Sequence, residues 1–586
     1  MRQWMVAAKK ADFYVIAEKF HVDPVVARII RNREVIGEKN IRIYLGGNLS
    51  DLSDPHQMKD MDRLVEILAQ KIRKQVHIRI IGDYDVDGVT SSHLFLTALR
   101  RVGAKVDVVI PHRIQDGYGL SLHLLQQAKE DGVDTILTCD NGIAAIDEIA
   151  WAKAQKMTVL VTDHHAVPFE EHEGRRTEKK SLADAVVNPH QQDCGYPYKE
   201  LCGAGVAWNV IRVLYENYDM DKREAEDLLD FVAMATVCDV MSLTGENRIL
   251  VKEGLKRIRH TKNIGLQALM QACNVQPENI SAYHFGYVLG PCVNATGRLD
   301  TARHALRLFE TGQETEAEEI ARDLVDLNQE RKELTLQGVE MAKKLCEEGG
   351  YEKDPVLVLF LPDVHESIAG LIAGRIREMY NRPVFVLTRG EEGVKGSGRS
   401  TENYSMYENM CGCAELFTKF GGHPMAAGLS LPEENVEKFR RKINENCPLT
   451  VEEVCPDIHI DMAMPVGYAS TELVHQFALL EPFGKDNPSP LFADRNLSIS
   501  RMWLIGKNRN VLRMSVLSEY GQPVPVIFFG DVETLFAYFT EKFGQEEVEN
   551  ALHGRKNRIL FSMVYTAKID FYQGNENLQL EMKYYR

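Results

Sequence analysis

Residues 158–165 read TVLVTDHH, an apolar, β-branched run that ends in an aspartate and two histidines. The end of a buried strand rarely carries three titratable side chains in a row. Either ordinary hydrogen bonds satisfy Asp163, His164 and His165, or a charged group lies beside them. The residues around this stretch decide between the two alternatives.

Similar runs occur three times upstream of TVLVTDHH. HIRIIGDYD (77–85), KVDVVIP (105–111) and DTILTCD (134–140) alternate with stretches of helical periodicity. Strands and helices that alternate at these lengths are typical of βαβ units, which build a parallel sheet. The predicted fold class is therefore α/β, with a parallel sheet at its centre.

The sequence pattern changes from segment to segment along the rest of the chain. An amphipathic stretch predicts one long connecting helix, a second α/β pattern follows it, and the last segment is rich in strands. The predicted domains are an N-terminal helical segment packed on the first α/β domain (1–75), that first α/β domain with the parallel sheet (76–312), a connector helix (313–350), a second α/β domain (351–492) and a C-terminal β-barrel (493–586).

Composition limits the classes of protein that this chain can belong to. It has 586 residues, and no apolar stretch reaches the length of a membrane span. Eleven cysteines without paired spacing predict reduced thiols and a cytoplasmic protein. The net charge of −16 argues against nucleic-acid binding, but metal-binding carboxylates are acidic by nature. Residues 493–586 are also nearly neutral, with 12 Lys and Arg against 11 Asp and Glu.

Acidic groups follow three of the predicted strands. The first strand leads into Asp83, Asp85 and Asp87, the third into Asp140, and TVLVT into Asp163-His164-His165; Asp239 follows a further apolar run. Each Asp-Gly or Asp-Asn-Gly segment alone is ordinary turn chemistry. Ligands of open parallel sheets bind beside the carboxyl ends of the strands, so these side chains should converge. Carboxylates that converge repel one another, and two Mn²⁺ or Mg²⁺ ions about 4 Å apart would relieve that repulsion.

At these residues the sequence resembles the DHH phosphoesterase superfamily. GDYDVDG (82–88), TCDNG (138–142), VTDHH (161–165) and VCDV (237–240) look like its four motifs, in the same order. NATGRLDTA (294–302), GSGRS (396–400), GGHPMAAG (421–428) and LEPFGKDNPSPLF (480–492) resemble segments of its RecJ branch. The branch more often has Ala at Thr296 and a different sequence at 365–370. The resemblance implies a DHH domain, a DHHA1-like second domain and a barrel like an oligonucleotide-binding (OB) fold.

The resemblance also implies roles for individual residues. Asp85, Asp87, His164 and Asp239 would bind two metal ions, Asp140 would bridge them, and Asp83 would be a ligand or a base. His165 would face the scissile phosphate, and Arg298 would contact it. Arg113, Ser397 and Arg399 resemble a stop for the 5′ phosphate, and Asn294, His365 and His423 would join them in binding substrate.

The activity implied is a 5′→3′ exonuclease for single-stranded DNA that releases mononucleotides and acts in recombination and repair. A single-strand-binding protein and a helicase are expected partners, without a membrane, and the chain is expected to be a monomer. In the barrel, only one or two of Tyr520, Phe528, Phe529, Tyr538 and Phe561 are expected at the surface to stack bases, beside Lys507, Arg509, Arg513, Arg555, Lys556 and Arg558.

Two other functions remain open from the residues alone. One is a phosphodiesterase of the same superfamily for short oligonucleotides or cyclic dinucleotides, or a pyrophosphatase. The other is a nucleic-acid-binding scaffold without activity. The C-terminal barrel argues against a small substrate, and the presence of every proposed metal ligand argues against an inactive scaffold.

Overall fold

The computed structural model describes residues 3–586 except 114–115, 117–118, 173–174, 300, 352, 391–392, 451–452, 455–456, 507–509 and 573. Of the charged residues expected in the barrel, Lys507 and Arg509 lie outside the described residues. The chain forms two units, one with Leu52–Met241 and Ile249–Pro456, the other with Gln3–Asp51, Ser242–Arg248 and Asp457–Arg586. Within the described residues, no helix is both long enough and apolar enough to cross a bilayer.

The N-terminal segment contains one short strand and four helices. These are β1 (Trp4–Val6), α1 (Phe13–Phe20), α2 (Pro24–Asn32), α3 (Glu38–Gly46) and α4 (Met61–Arg73). The sequence predicted that residues 1–75 pack together on the catalytic domain. Instead, α1–α3 share a hydrophobic core with the C-terminal strands, and only α4 belongs to the first unit. The apolar stripe of α2 shows that the helix must be buried, but it does not specify against which partner.

A five-stranded parallel sheet forms the centre of the first unit, with strand order β3-β2-β4-β5-β8. Its elements are β2 (Ile78–Ile81), α5 (Val86–Arg101), β3 (Val106–Val109), α6 (Leu122–Glu130), β4 (Thr135–Cys139), α7 (Ile146–Ala154), β5 (Thr158–Thr162), the hairpin β6 (Phe169–His172) and β7 (Arg175–Glu178), and β8 (Ala185–Val187). The predicted parallel sheet is confirmed. Strands β2, β4 and β5 are direct neighbours, so the acidic segments that follow them meet at one edge.

Helices then dominate as far as residue 348. They are α8 (Gly203–Asn217), α9 (Lys222–Glu226), α10 (Leu229–Cys238), α11 (Gly245–Ile258), α12 (Ile264–Ala272), α13 (Ala282–His284), α14 (Gly290–Leu299), α15 (Arg303–Glu310) and α16 (Glu314–Glu348). The last is the expected connector helix, and its 35 residues span about 50 Å.

The second α/β domain of the first unit contains a mixed sheet of order β12-β13-β11-β10-β9. Its elements are β9 (Leu357–Phe360), α17 (Glu366–Tyr380), β10 (Val384–Gly390), β11 (Gly393–Arg399), α18 (Met406–Cys411), β12 (Lys419–His423), β13 (Ala426–Leu431) and α19 (Val436–Glu445). The glycine-rich segments form strands here. GGHPMAAG makes the β12–β13 hairpin, and GSGRS begins in β11.

The C-terminal part of the second unit is a barrel, because β16 pairs with both β17 and β19 and so closes the sheet. Its elements are β14 (Ile458–Ile460), β15 (Met462–Ala463), α20 (Thr471–Phe477), β16 (Phe492–Ile505), β17 (Val511–Leu517), β18 (Pro523–Phe528), α21 (Val532–Phe543), α22 (Gln545–Leu552), β19 (Leu560–Tyr572) and β20 (Asn575–Tyr585). Residues 457–492, predicted to close the second α/β domain, belong to this unit instead.

A buried ion pair attaches α2 to the barrel. Asp461 accepts hydrogen bonds from Arg33 Nη1 at 2.7 Å and from the Leu491 amide at 3.0 Å, and the Arg33 and Asp461 side chains are only 9% and 7% exposed. Removing one partner of a buried pair leaves the other charge uncompensated, which costs about 3–5 kcal/mol.

We therefore expect Asp461→Asn to destabilise the second unit by about 3–5 kcal/mol. The measurement is urea unfolding in which hydrogen exchange of the β16 amides is the readout. Arg42→Gln, which removes an ion pair with Asp51 from a half-exposed arginine of the same unit, is the control and should change little. Equal effects of the two substitutions would contradict the role of Asp461.

Candidate metal centre

Three strand ends and one helix end bring the acidic residues together. Asp83 and Asp85 follow β2, Asp140 follows β4, and His164 and His165 follow β5. Asp87 lies in the first turn of α5. Asp239 follows helix α10 as its C-terminal cap, so it reaches the cluster from a helix end and not from a strand.

The predicted ligands lie within metal-binding distance of one another. His164 Nε2 lies 3.1 Å from Asp140 Oδ1, 3.6 Å from Asp239 Oδ2 and 3.7 Å from Asp87 Oδ2. Three groups have ligand atoms that all lie within 4.8 Å of one another: Asp83, Asp85 and Asp140; Asp87, His164 and Asp239; and Asp140, His164 and His165. The structure thus brings together all six predicted metal ligands and His165.

Burial and mutual repulsion make these carboxylates hard to ionise. Burial, and then the charge of Asp85, raises the pKa of Asp83 well above its usual value. Burial and the charges of Asp87 and Asp85 do the same to the pKa of Asp140. The cluster therefore lacks the positive charge that would neutralise its carboxylates.

The donor set fits divalent cations. Asp83 Oδ1 and His164 Nε2 are buried polar atoms that have no hydrogen-bond partner among the residues described. Carboxylate oxygens with one or two imidazoles are typical ligands of Mn²⁺ and Mg²⁺. Bound cations would satisfy these two atoms and remove the repulsion that raises the carboxylate pKa values.

One feature of the centre was not predicted from the sequence. The first amides of α8 hold Asp87, with Gly203 N 2.6 Å from Oδ2 and Ala204 N 2.7 Å from Oδ1. A Cβ on Gly203 would lie 2.6 Å from Asp140 Cβ, so only glycine fits at this position. The segment CGAG (202–205) at the start of a helix was the available signal, because helix N-termini bind anions.

Asp163 holds the two histidines in place. Its Oδ1 accepts hydrogen bonds from the amides of His164 (2.7 Å) and His165 (3.1 Å) and lies 2.8 Å from His165 Nδ1, while Oδ2 accepts from the Ile143 amide. Burial alone would raise the pKa of Asp163, but the hydrogen bond from His165 and the charges of both imidazoles lower it. Both alternatives raised by TVLVTDHH therefore apply: Asp163 makes ordinary hydrogen bonds, and the histidines belong to the metal centre.

A cavity lined by arginines adjoins the metal centre. Its volume is about 480 Å³, and its lining includes Tyr84, Arg113, Arg298, Ser397 and Arg399. Tyr84 lies between Asp83 and Asp85 in the chain and so connects the cavity to the carboxylates. Arg298 Nη1 donates to the Ser367 carbonyl at 2.8 Å, which ties the catalytic domain to α17.

The arginines of this cavity are buried near one another. Burial, and then the charges of Arg113, Arg331 and Arg399, lowers the pKa of Arg298 to about 10. Burial, followed by the charges of Arg377 and Arg113, lowers the pKa of Arg399. A Cβ on Gly370 would lie 2.8 Å from Ser397 Oγ and 2.9 Å from Arg399 Nη2, so glycine leaves room for both side chains.

Three predicted substrate-binding residues do not line this cavity. Asn294 Oδ1 accepts a hydrogen bond from the Val86 amide at the start of α5. His365 caps α17 by accepting from the Ser367 amide, and His423 is exposed at the end of β12. Sequence reasoning missed Lys419 and Phe420, which do line the cavity.

The described cysteines beside the ligands are packing residues. Cys139 is buried 3.4 Å from Ser92 Oγ. Cys238 lies on helix α10, with its Sγ 3.3 Å from the Phe285 carbonyl oxygen.

Three family descriptions match successive parts of the chain. Residues 77–236 match the DHH family, N-terminal domain, residues 353–447 match the DHHA1 domain, and residues 460–584 match the RecJ OB domain. Together they confirm the predicted DHH, DHHA1 and OB-like architecture.

Known proteins match over most of the chain. The single-stranded-DNA-specific exonuclease RecJ of Haemophilus influenzae is 32% identical over 582 residues, which cover 96% of this chain and 96% of the relative. The protein of the same name from Bacillus subtilis is 33% identical, and the match covers 86% of this chain but 63% of that relative.

Solved structures agree with this relationship. A crystal structure of exonuclease RecJ bound to manganese is 31% identical, with a TM-score of 0.57, and the match covers 67% of this chain and 96% of that one. Thermus thermophilus RecJ in complex with Mn²⁺ has a TM-score of 0.79 at 24% identity, covers 100% of this chain, and shows the shared fold. Because a relative above 30% identity matches along nearly the full length of both proteins, the chain belongs to the RecJ family of DHH proteins.

Proposed function

We propose that the chain is a metal-dependent exonuclease that degrades single-stranded DNA from the 5′ end and releases mononucleotides. The observation that carries the proposal is an arginine-lined cavity whose lining includes Tyr84, the residue between Asp83 and Asp85 of the carboxylate cluster. A strand whose scissile phosphate lies at the carboxylates would place its terminal phosphate among the arginines.

The metal ligands are Asp83, Asp85, Asp87, Asp140, His164 and Asp239, which would hold two Mn²⁺ or Mg²⁺ ions. When bound, the ions supply Lewis acidity that lowers the pKa of water and neutralises phosphate charge. The side chains orient the substrate around them. Arg298, fixed by Ser367, is placed to bind the reacting phosphate.

His165 is the residue suited to move a proton or stabilise charge. It is half-buried, and its Nδ1 faces Asp163 Oδ1. Burial opposes the charged form, but the hydrogen bond and the charge of Asp163 outweigh it and raise the pKa of His165 to about 9. An imidazole held by Asp163 in this way can donate a hydrogen bond to an oxygen that gains charge during cleavage.

The 5′ polarity is supported by the group of Arg113, Ser397 and Arg399. Arg113 lies 4.9 Å above the ring of Tyr84, and Arg399 Nη1 donates to Ser397 Oγ at 3.3 Å. A terminal phosphate carries more charge than an internal diester, so several guanidinium groups near one point favour an end over a continuous strand.

The barrel supports a long substrate. Tyr520 and Phe529 are exposed at its surface, whereas Phe528 and Phe561 are buried, as expected from the sequence. Trp503, part-exposed, lies 5.1 Å from the Arg501 guanidinium and pairs across strands with the exposed Arg513. Aromatic faces beside cations bind single strands by stacking, without reading sequence, and a dinucleotide needs no such surface.

We further propose that the protein acts in the cytoplasm, in recombination and repair, as a monomer. All the described cysteines are free thiols, in keeping with a reducing compartment. A helicase and a single-strand-binding protein would be its partners because single strands must be generated and kept open for it.

The first prediction concerns metal dependence and polarity. DNA 30-mers labelled separately at each end should release mononucleotides only from the 5′ end, with Mn²⁺ or Mg²⁺ and not with EDTA. Asp140→Asn should reduce the rate to background, because it removes a carboxylate shared by two ligand groups. Asp147→Asn, an exposed aspartate on α7, is the matched control and should retain full activity. Hydrolysis of dinucleotides or pyrophosphate alone would contradict the proposal.

The second prediction concerns the position of the histidines. Asp163→Asn should lower kcat about 10- to 100-fold, because partners that orient metal-site histidines have effects of this size. Asp184→Asn is a matched control, since the Asp184 carboxylate also accepts a hydrogen bond from a backbone amide, that of Val159, but at the opposite end of β5. If steady-state kinetics show equal activity in both variants, Asp163 does not position the imidazoles.

The third prediction concerns recognition of the end. Arg399→Gln should weaken the preference for a 5′-phosphorylated over a 5′-hydroxyl strand about 10- to 100-fold, which corresponds to one hydrogen bond to a charged group. Arg389→Gln, which alters the neighbouring strand β10 at a solvent-exposed arginine, should leave the preference unchanged. Competition between the 5′-phosphorylated and 5′-hydroxyl strands measures this preference. An unchanged preference in Arg399→Gln would exclude Arg399 as part of the stop for the 5′ phosphate.

A further inference from the structure

One helical segment of the first unit runs alongside the metal centre. Residues 282–299 form it, as α13, a π-helical turn (Phe285–Leu289) and α14 in direct succession. Side chains that recur every three or four residues share one face of a helix. Five residues with this spacing are exposed or half-exposed and make up what we call the open face: Tyr283, Tyr287, Pro291, Asn294 and Arg298.

The second half of this segment packs against the residues that carry metal ligands. Asn294 Oδ1 accepts a hydrogen bond from the amide of Val86, the residue between two of the aspartates of the centre, at 3.2 Å. A Cβ on Gly297 would lie 2.5 Å from the carbonyl oxygen of Tyr84, so the helix backbone touches this stretch directly. The open face therefore passes the metal centre at Asn294.

The π-helical turn meets the metal centre from the side of α10. Cys238 Sγ lies 3.3 Å from the Phe285 carbonyl oxygen, and a Cβ on Gly290 would lie 2.3 Å from the same sulfur. The next residue, Asp239, is one of the proposed metal ligands. Val240 follows it and is 63% exposed, which adds an apolar side chain to the surface beside the ligand.

Two stacked tyrosines end the open face. Tyr283 and Tyr287 are 62% and 72% exposed, and their ring centroids lie 5.1 Å apart with 23° between the ring planes. Tyr287 lies seven residues before Asn294, which is about 10 Å along the helix. Arg298 lies about 6 Å from Asn294 in the other direction. The metal centre thus lies between an aromatic end and a cationic end of one helical face.

We infer that Tyr283 and Tyr287 form a stacking platform for bases of the single strand on the 3′ side of the scissile phosphate. The inference rests on the proposed nuclease function. Arg298 lines the cavity proposed for the terminal phosphate, so the rest of the strand leaves the centre in the opposite direction, past Asn294. Aromatic faces hold bases of any sequence, as an enzyme that removes every nucleotide in turn requires.

The first test is photocrosslinking of the full chain, in EDTA, to single strands that carry 5-iodo-2′-deoxyuridine at one of their first eight positions. Mass spectrometry of tryptic peptides locates the adducts. We expect adducts at Tyr283 or Tyr287 from positions on the 3′ side of the first phosphodiester bond. Adducts elsewhere, with none at either tyrosine, would overturn the inference. Crosslinking needs no cleavage, so this failure is distinguishable from failure of the proposed nuclease function.

Variants measure what the platform contributes. Replacing both residues, Tyr283→Ala with Tyr287→Ala, should raise KM for DNA 30-mers about 5- to 100-fold and leave kcat unchanged, because stacking of a base on an aromatic ring has effects of this size. Tyr283→Phe with Tyr287→Phe keeps both rings and should keep the wild-type KM. Tyr14→Ala, which removes a 78% exposed tyrosine from α1 of the second unit, is the matched control. An unchanged KM in the double alanine variant would contradict the platform.

An abasic site at the crosslinked position connects the tyrosines to the base itself. In the wild type, the abasic strand should raise KM by about the same factor as the double alanine variant does with the intact strand. In that variant, the abasic site should cause no further change, because both alterations remove the same contact. Effects that multiply would show that the tyrosines do not contact the base and would overturn the inference.

Discussion

The repulsion among buried carboxylates at one edge of a parallel sheet is the constraint on which the first unit depends. Asp83 and Asp140 are each less than 3% exposed, and burial together with the charges of neighbouring aspartates raises the pKa of both. Left alone, such a group would take up protons or move apart. The scaffold prevents the second outcome: Asn141 Nδ2 donates to the carbonyls of both Ile81 and Cys139, which ties the ends of β2 and β4 together. Bound cations would then relieve the repulsion and keep the carboxylates ionised.

The surrounding helices complete this arrangement from outside the sheet. The amides at the start of α8 neutralise part of the charge of Asp87, and α10 delivers Asp239 at its C-terminal cap. A helix C-terminus carries partial negative charge, so the end of α10 adds to the negative charge that Asp239 brings to the centre. The field is therefore strongly negative at the carboxylates and positive at Arg113, Arg298 and Arg399. A phosphate backbone between them is drawn toward the arginines, and the metal ions make the acidic edge compatible with it.

The sequence predicts this centre well because each strand carries its own polar ending. A β-branched run followed by Asp or His predicts both a strand and the position of the polar residue at its end. Neighbouring parallel strands then bring those polar residues to one edge of the sheet. Asp140, His164 and Asp85 follow from that rule. The amides of Gly203 and Ala204 do not, because backbone donors carry no side-chain signature and lie 116 residues or more from Asp87.

Other differences between sequence and structure share a cause, namely that local pattern does not identify a distant partner. The stripe of α2 predicts a buried face, but the choice of the barrel core depends on Asp461 and the strands that follow it. The resemblance of GSGRS implies a stop for phosphate, but its local pattern does not show that it begins in β11 and brings Ser397 and Arg399 to one cavity. The resemblance implied that His365 and His423 bind substrate, but neither residue lines the cavity.

Two of the buried polar atoms without a hydrogen-bond partner among the described residues belong to the metal centre. A buried polar atom without a partner costs about 1–3 kcal/mol, and a cation that coordinates it offsets that cost. Asp83 Oδ1 and His164 Nε2 mark the metal centre, where cations provide that compensation.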